Sequence, residues 1–295
     1  MSEIENLNTD AFIGRDMGTV TLLKLIGKGA AGAVFLAFQR TLKRQVAVKI
    51  LPKSDRTTEA SRELFRQEAE IVAILSHPYI IPIFEMGEED DCYYQVMQVV
   101  KGEDLNSRIK KRQLNPIPHK RVLPLTEALT ITRQVLDGLG YAHDEGVVHQ
   151  DIKPLNILIE EKQNRPLIAD FGIAKIHQHE VRQEGTIVGS PLYMAPEYIL
   201  THTTDSRSDI YSVGVMFFQT LVGNLPLTET HPMRLIQKKI EDHDHLFGGR
   251  PSELSPHVDA NLEAIVYKAI APEPERRYQT CSQFKEALEN YGRSA

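Results

Sequence analysis

The spacing of apolar residues changes once along the chain, near Lys101. Before this point, β-branched and aromatic runs alternate with turns, which predicts strands within residues 19–50, 80–85 and 93–100. After it, apolar residues recur every three or four positions, which predicts helices. Strands and helices that are segregated in this way favour an α+β chain over one in which they alternate.

The pattern predicts a small antiparallel β-sheet lobe with one main helix, followed by a larger and mostly helical lobe. We expect the main helix of the first lobe at residues 58–75, and we expect a ligand in the cleft between the lobes. The predicted parts are an N-terminal arm at 1–18, a β-rich lobe at 19–100, a hinge at 98–104 and a helical lobe at 105–291.

The long amphipathic helix of the second lobe carries candidate signals at both ends. Thr126 is the predicted N-cap, and Gly146 lies just past the predicted end. The predicted helices of this lobe are 105–111, 127–143, 206–221, 232–239, 259–269 and 281–291.

Composition excludes several classes of protein. The chain has 295 residues, of which 41% are hydrophobic and 25% charged, as is typical of globular proteins. Its net charge of −6 argues against nucleic acid as a partner. The acidic N-terminus lacks the apolar core of a signal peptide, and the longest apolar stretch, 213–222, is too short to span a bilayer. Cys92 and Cys281 have no metal-ligand spacing, so we expect structural thiols and a cytoplasmic protein.

The stretch GKGAAGAV places Gly27, Gly29 and Gly32 in a G-x-G-x-x-G pattern. Glycines allow backbone amides to approach an anion closely. Dinucleotide-binding folds carry the same pattern, but they need a helix directly after the glycines. Here the strand-like AVFLAF follows, so the pattern favours a β-hairpin that covers phosphates.

Lys49, at the end of the apolar strand VAVKI, is a candidate phosphate ligand. A lysine in a cleft acts as a point charge on phosphate oxygens, whereas one at the surface only extends its amine into water. Such a lysine needs an acidic partner. Glu68 in the predicted first-lobe helix is the candidate, with Glu63 and Glu70 as alternatives.

The stretches HQDIKPLN and IADFGIAK carry the strongest chemical signal. Asp151 can orient a hydroxyl group and accept its proton, and Lys153 can neutralise charge on a phosphoryl group. The amide oxygen of Asn156 and the carboxylate of Asp170 suit Mg²⁺. Each residue alone is compatible with an ordinary surface position, but their joint order favours a phosphoryl-transfer site.

These motifs, in this order, resemble the eukaryotic-type protein kinase family from about residue 19 to 291. The last motifs in the order are Asp170-Phe171-Gly172 and APE at 195–197. The later stretch PERRYQT is similar to bacterial members of the family. Lys153 in DIKPLN is similar to the serine/threonine branch. The resemblance implies a bilobal kinase fold and transfer of phosphate from ATP to Ser/Thr hydroxyls of proteins, with autophosphorylation. It implies Mg²⁺ as the metal, with Mn²⁺ as an alternative.

The resemblance also implies roles for individual residues. The implied catalytic residues are Asp151, Lys153, Lys49 and Glu68. The implied metal ligands are Asn156 and Asp170. The implied ATP contacts are Gly27, Gly29, Gly32, Val34, Ala47, Lys49, Met97, Gln98, Val100, Asp104 and Leu158.

Further implied contacts are structural. Asp209 would brace the catalytic loop from a buried helix, and Glu197 would pair with Arg277. The residues that match a stacked apolar spine are Val72, Ile83, His149 and Phe171.

Gln150 departs from the family pattern, which has an Arg here that grips a phosphorylated residue of the activation loop. Thr186 lies at the expected phosphosite, and Lys175 and Arg182 are the bases that remain near it. Since Gln150 makes and breaks no bond, we expect an active kinase that depends only weakly on loop phosphorylation.

Two other functions compete with this one. An ATP-binding pseudokinase would act as an interaction module, but pseudokinases usually lose one of Lys49, Asp151 or Asp170, and all three are present. A small-molecule kinase is disfavoured because SPLYMAPE resembles a peptide-positioning loop.

Overall fold

The computed structural model describes residues 8–29, 32–53, 73–117, 120–171, 191–201 and 203–294. These residues divide into two compact units, one up to Lys101 and one from Gly102 onward. The predictions for residues 58–72, which include Glu68, and for 172–190, which include Thr186, lie outside the described residues.

The first unit is built on a six-stranded antiparallel sheet with the strand order β1-β2-β3-β4-β6-β5. Its strands are β1 (Asp16–Met17), β2 (Val20–Gly29), β3 (Gly32–Gln39), β4 (Arg44–Pro52), β5 (Ile83–Glu88) and β6 (Cys92–Met97).

One face of this sheet carries the core of the first unit. Because side chains alternate between faces along a strand, every second residue of β3 and β4 points into this core. The core residues of these two strands are Ala33, Phe35, Ala37, Val46, Val48 and Ile50.

The N-terminal arm predicted at residues 1–18 is wrong for residues 9–17. Thr9–Phe12 forms a 3₁₀ helix, and β1 pairs with β2. Phe12 is 6% exposed, and its ring centroid lies 6.0 Å from that of Phe35. A single aromatic residue in a polar stretch produces no periodicity, so the sequence gives no sign that it is buried.

The hairpin of β5 and β6 is shifted from the predicted strands at 80–85 and 93–100. The Glu89 N–H donates to the Cys92 carbonyl at 2.8 Å. This bond closes the turn between the two strands, and β5 therefore ends later in the chain than predicted. Just after β6, the Gln98 N–H still donates to the Pro82 carbonyl at 3.1 Å, next to the Ile83–Met97 pair that ends the hairpin.

The second unit contains a three-stranded antiparallel sheet with the order β7-β8-β9. The three strands are β7 (Gly102–Asp104), β8 (Ile157–Glu160) and β9 (Pro166–Ile168). The spacing of apolar residues does not reveal these strands, because runs of three or four residues are too short to show alternation.

Most of the second unit is helical, as predicted. Its helices are α1 (Leu105–Gln113), α2 (Leu125–Asp144), α3 (Pro196–Thr201), α4 (Ser206–Val222), α5 (Pro232–Glu241), α6 (Pro251–Leu254), α7 (Ala260–Ala269) and α8 (Cys281–Ser294). No helix within the described ranges is long and apolar enough to cross a membrane.

The predicted N-cap of α2 is wrong. The helix begins at Leu125 with Pro124 as its N-cap, so Thr126 lies inside the first turn. The Pro124 carbonyl accepts the Ala128 N–H at 3.0 Å, which starts the helix two residues early. Gly146 does lie just past the end of α2, with φ of 77°.

Candidate active site

The face of the first-unit sheet opposite its core carries three of the apolar residues predicted to contact ATP, namely Val34, Ala47 and Met97. The strand register places Val34 opposite both Gly27 and Lys49, and places Ala47 opposite Met97. Directly opposed residues share a face, as do residues two apart along one strand. Val34, Ala47, Lys49 and Met97 therefore lie together on this face.

Lys49 is only 3% exposed, although lysine is rarely buried without compensation of its charge. Its predicted partner Glu68 lies outside the described residues. The pairing of the two therefore stays a prediction.

The glycine-rich pattern ends one strand and begins the next. Gly29 lies opposite Gly32, and β3 continues directly as a strand, which agrees with a hairpin. Gly32 has φ of 127°, and a Cβ atom there would lie 2.2 Å from the Ile50 carbonyl oxygen. Only glycine fits this close backbone approach.

The two predicted hinge contacts, Gln98 and Val100, are partly buried. Because the Gln98 N–H already donates to Pro82, the Gln98 carbonyl oxygen is the atom that it can offer to adenine.

Asp104 has a structural role that the sequence did not predict. It is the N-cap of α1, and its carboxylate accepts the Ser107 N–H at 2.8 Å and the Ser107 hydroxyl at 2.7 Å. Leu158, another predicted ATP contact, lies opposite Asp104 in the β7–β8 pair.

The catalytic-loop residues Asp151, Lys153 and Asn156 lie in direct contact. Lys153 Nζ donates to Asp151 Oδ2 at 2.6 Å, and Asn156 Nδ2 donates to the same oxygen at 3.0 Å. The 3₁₀ turn Pro154–Asn156 folds the chain back, so that Asn156 Nδ2 also reaches the Asp151 carbonyl at 2.8 Å. Both described side-chain donors use Oδ2, which leaves Asp151 Oδ1 to accept a proton.

Asp209 holds the backbone just before Asp151, as predicted. Its carboxylate has no exposed surface and accepts the N–H of His149 and the N–H of Gln150, each at 2.8 Å. His143 Nε2 donates to the same carboxylate at 2.8 Å. These charge-assisted hydrogen bonds compensate the buried charge and fix the loop.

His149 joins the catalytic loop to the segment that carries Asp170. Its Nδ1 accepts the Asp151 N–H at 3.2 Å, so the proton of the neutral ring lies on Nε2, which donates to the Ala169 carbonyl at 2.8 Å. The His149 and Phe171 ring centroids are 4.5 Å apart, in the contact predicted for the apolar spine. Asp170 adopts a left-handed φ of 66°, a conformation common at functional sites.

Gln150 is also left-handed, with φ of 68°. Its side-chain Nε2 donates to Thr204 Oγ1 at 2.7 Å. Its Oε1 is buried and accepts no hydrogen bond from the part of the chain that the structure describes. Gln150 therefore has a neutral amide that already forms a hydrogen bond, at the position where the family pattern has a charged Arg.

The predicted pair of Glu197 and Arg277 is confirmed. Arg277 Nη1 and Nη2 donate to the two Glu197 carboxylate oxygens at 2.8 and 2.7 Å. Arg277 also donates to the carbonyls of Ala271 and Pro272 at 2.7 and 2.8 Å. Burial acts to raise the pKa of Glu197, but the Arg277 guanidinium and the hydrogen bonds from Ser208 and the backbone together outweigh burial, and the pKa is lowered.

Comparison with known proteins decides the family. The model of the protein kinase domain matches residues 20–289. The chain belongs to the protein kinase domain family. Serine/threonine-protein kinase PrkC of Bacillus subtilis is 34% identical over 274 residues, which are 92% of this chain and 40% of PrkC. Serine/threonine-protein kinase PknF of Mycobacterium tuberculosis is 33% identical over 280 residues, 93% of this chain and 56% of PknF.

This kinase domain therefore spans only about half the length of such relatives. Its structure is similar to the crystal structure of the PknI kinase domain of Mycobacterium tuberculosis, with a TM-score of 0.75 and 27% identity over 95% of this chain and 98% of the other. The α+β protein kinase fold expected from the sequence is confirmed.

The kinase domain also contains polar residues with long-range contacts that sequence reasoning missed. His143 supports Asp209, and the Cys281 Sγ lies 3.5 Å from His143 Nδ1. Lys239 lies on α5 outside every family motif, yet it is fully buried and contacts the segment before α3. Neither residue shows a sequence signal, because a polar residue in an amphipathic helix predicts exposure.

The described ranges contain no group of three His, Cys, Asp or Glu side chains placed to hold a metal ion. The predicted metal ligands, Asn156 and Asp170, instead supply two oxygens. Mg²⁺ commonly uses one or two carboxylates together with substrate phosphates, so these two residues fit it.

Proposed function

We propose that this kinase domain transfers the γ-phosphate of ATP to Ser and Thr hydroxyls of proteins, including its own. The observation that carries the proposal is the Asp151 carboxylate, which Lys153 and Asn156 hold through Oδ2 on a backbone fixed by Asp209. The serine/threonine-kinase names of its relatives PrkC and PknF agree with it.

Phosphoryl transfer depends on positioning and electrostatics more than on covalent chemistry by the protein. Asp151 Oδ1 is proposed to orient the acceptor hydroxyl and take its proton, as a general base must lie within hydrogen-bond reach of that proton. The Lys153 ammonium, 2.6 Å from Asp151 Oδ2, is proposed to neutralise charge on the transferring phosphoryl group. Both groups come from one short loop, which keeps their spacing fixed.

ATP and Mg²⁺ are the proposed cofactors, with Mn²⁺ as the alternative metal. The Asn156 amide nitrogen is held by Asp151, so its oxygen is left to ligate a cation together with Asp170. When bound, the metal neutralises charge on the ATP phosphates.

The remaining proposed contacts to ATP are those that the family resemblance implies. The proposed first-unit contacts are Gly27, Gly29, Gly32, Val34, Ala47, Lys49, Met97, Gln98 and Val100. The proposed second-unit contacts are Asp104 and Leu158. Val34, Ala47 and Met97 supply the apolar surface that an adenine ring needs. The pairing of Lys49 with Glu68 is part of the proposal.

We further propose that activity depends only weakly on phosphorylation of the activation loop. Gln150 is uncharged and its amide is engaged by Thr204. It therefore cannot form the bidentate ion pair with phosphate through which Arg orders such a loop.

The test is an assay of the chain with radiolabelled ATP, Mg²⁺ and mixed histones as acceptors. Label on Ser or Thr of the chain or of the histones, lost in Asp151→Asn, is the expected result. Nucleotide binding without transfer would instead support the pseudokinase. Label on small molecules alone would support a small-molecule kinase.

A further inference from the structure

Residues 105–126 form a basic stretch in a chain whose net charge is −6. They cover α1, the loop after it and the first two residues of α2, and they contain no Asp or Glu. Bases in the last turn of a helix interact favourably with its dipole, but Lys120 and Arg121 lie beyond α1, so the dipole does not account for the whole stretch. The bases of the stretch are Arg108, Lys110, Lys111, Arg112, Lys120 and Arg121.

Two carboxylates, Glu103 and Glu127, neutralise part of this charge. They form ion pairs at 2.6 to 3.5 Å with three of the bases, namely Arg108, Lys111 and Arg112. Within the described residues no carboxylate forms an ion pair with the other three, which are Lys110, Lys120 and Arg121. All three of these side chains are exposed, so they give the stretch a positive surface.

Leu114 places an apolar side chain in the middle of this positive surface. It continues the helical backbone of α1 as its C-cap. At roughly 3.6 residues per turn it points away from the buried Leu105 and lies between Lys110 and Lys111. The outer face of an amphipathic helix is normally polar, yet Leu114 is 83% exposed on that face.

The loop after α1 adds a second exposed apolar side chain. Asn115 Oδ1 accepts the Ile117 N–H at 3.0 Å, and the Ile117 carbonyl accepts the Lys120 N–H at 3.0 Å. Arg121 Nε donates to the Asn115 carbonyl, also at 3.0 Å. These bonds hold Ile117, which is 42% exposed, in one compact turn with the two exposed bases. We call Lys110, Lys111, Leu114, Ile117, Lys120 and Arg121 together the α1 patch.

We propose that the α1 patch binds the surface of a bilayer that contains anionic lipids. The negative surface potential of such a bilayer attracts clusters of Lys and Arg. Exposed aliphatic side chains among these bases enter the boundary between the headgroups and the acyl chains. Lysine suits this position, because its apolar stem lies along the lipid while its amine stays in water. Leu114 between Lys110 and Lys111 therefore has the chemistry of a lipid contact.

Two other partners would use the bases of the patch without its apolar side chains. Single-stranded nucleic acid stacks on aromatic side chains, and residues 105–126 contain no Phe, Tyr or Trp. An acidic polypeptide would pair with the bases but would gain nothing from an exposed leucine among them. A requirement for Leu114 therefore distinguishes a bilayer from either of these partners.

Binding at the α1 patch is separate from catalysis. None of its residues is proposed to contact ATP, the metal or the acceptor hydroxyl. Loss of the patch should therefore leave phosphate transfer to histones in solution within about twofold of the parent. The inference does not depend on the proposed function, and a parent that transfers no phosphate would refute that function alone.

The experiment measures sedimentation of the full chain with sucrose-loaded vesicles. One set is phosphatidylcholine with about 30% phosphatidylserine, and the other is phosphatidylcholine alone. In about 0.1 M NaCl the parent should bind the anionic vesicles about tenfold more tightly than the neutral ones. About 0.5 M NaCl should remove most of this preference, because salt screens exposed charges.

Matched variants separate the charged and apolar parts of the patch. Lys110→Gln with Lys111→Gln should weaken binding to the anionic vesicles about tenfold or more. Arg234→Gln with Lys238→Gln removes the same charge from α5 and should stay within about twofold of the parent. Leu114→Ser should weaken binding about fivefold or more, whereas Leu42→Ser, at a leucine that is 63% exposed in the first unit, should not.

Three results would overturn the proposal. The first is equal binding of the parent to the two kinds of vesicle. The second is an equal loss in the two double variants, which would show a response to net charge alone. The third is parental binding by Leu114→Ser together with loss in Lys110→Gln/Lys111→Gln, which would assign the patch to an acidic polypeptide.

Discussion

Glu197 and Arg277 form a two-point ion pair although 80 positions separate them in the chain. The Arg277 side chain is fully buried, and that of Glu197 is 19% exposed. The pair joins the start of α3 to the stretch before α8. It therefore fixes the C-terminal end of the segment that leads into α3.

Removal of either partner should destabilise the fold strongly. Glu197→Gln or Arg277→Met should each lower the free energy of unfolding by about 3 kcal/mol or more, because the remaining group is left buried without its partner. The double variant should lose less than the sum of the two single losses, since one removal already breaks the pair.

Urea unfolding of the four proteins measures this coupling. Arg276→Met is the control, because Arg276 and Glu273 form an exposed pair at 3.4 Å, for which about 0.5 kcal/mol is expected. Additive losses in the double variant would show that the buried pair does not couple the two segments.

His243 should make the fold sensitive to acid. Burial, followed by the nearby charge of Lys239, lowers the pKa of His243 to about 4, and its Nε2 lies 3.1 Å from the Tyr211 hydroxyl. An unfolded histidine has a pKa of about 6.5, so below that pH protons favour the unfolded state. The stability contributed by the neutral ring is complete above about pH 6.5 and is lost as the pH falls toward 4.

We expect the free energy of unfolding to fall by about 1–2 kcal/mol more in the parent than in His243→Gln between pH 7.5 and pH 5. Urea unfolding at the two pH values gives the comparison. The exposed His257 supplies the control, and His257→Gln should keep the parental difference. An identical pH response of His243→Gln and the parent would show that His243 is not buried in its neutral form.

Replacement of Asp209 should lower kcat, although Asp209 is not proposed to contact ATP or the acceptor hydroxyl. Asn in its place offers one acceptor oxygen and turns an N–H donor toward the N–H groups of His149 and Gln150. Displacement of Asp151 by a fraction of an ångström should then lower kcat about 100-fold, with the ATP KM little changed.

The matched variant is Asp205→Asn at the N-cap of the same helix. Asp205 accepts the Arg207 N–H at 2.8 Å, a bond made within the first turn of α4. It should lose stability of about 1 kcal/mol or less and retain near-parental kcat. Equal kcat values for Asp209→Asn and the parent would refute the role of Asp209 as a brace.

Thr186→Ala tests the proposed independence from loop phosphorylation. Because Gln150 has no charge to bind a phosphate, the initial rates of Thr186→Ala and of the phosphatase-treated parent should each lie within about tenfold of the rate of the untreated parent. Initial rates under the same ATP and acceptor concentrations decide the matter. A loss of about a hundredfold in the variant would mean that phosphorylation of this loop is required despite Gln150.

The parts of the site that the sequence predicted share one physical feature. Asp151, Lys153 and Asn156 lie within six positions, so their contact follows from local chain geometry and from the 3₁₀ turn that folds the loop back. The contacts of Asp209 and Arg277 are long-range and were expected only because the motif order resembles a known family.

The parts that the sequence missed depend on tertiary packing. Lys239 and His143 are polar residues of helices, and only the folded structure shows that they donate to carbonyl or carboxylate groups. Phe12 was missed because one aromatic residue gives no period. Thr126 was wrongly chosen as an N-cap because propensity does not include the effect of the preceding Pro124.

The most direct test of the account is the rate of phosphate transfer by Asp151→Asn. The side chain keeps its size but loses the charge that can accept a proton, so kcat should fall about 10²–10⁴-fold while ATP still binds. Asp144→Asn, the same change at an exposed position at the end of α2, should keep the parental kcat. Loss of labelled phosphoserine and phosphothreonine in Asp151→Asn alone is the predicted result, and equal transfer by Asp151→Asn and the parent would contradict the account.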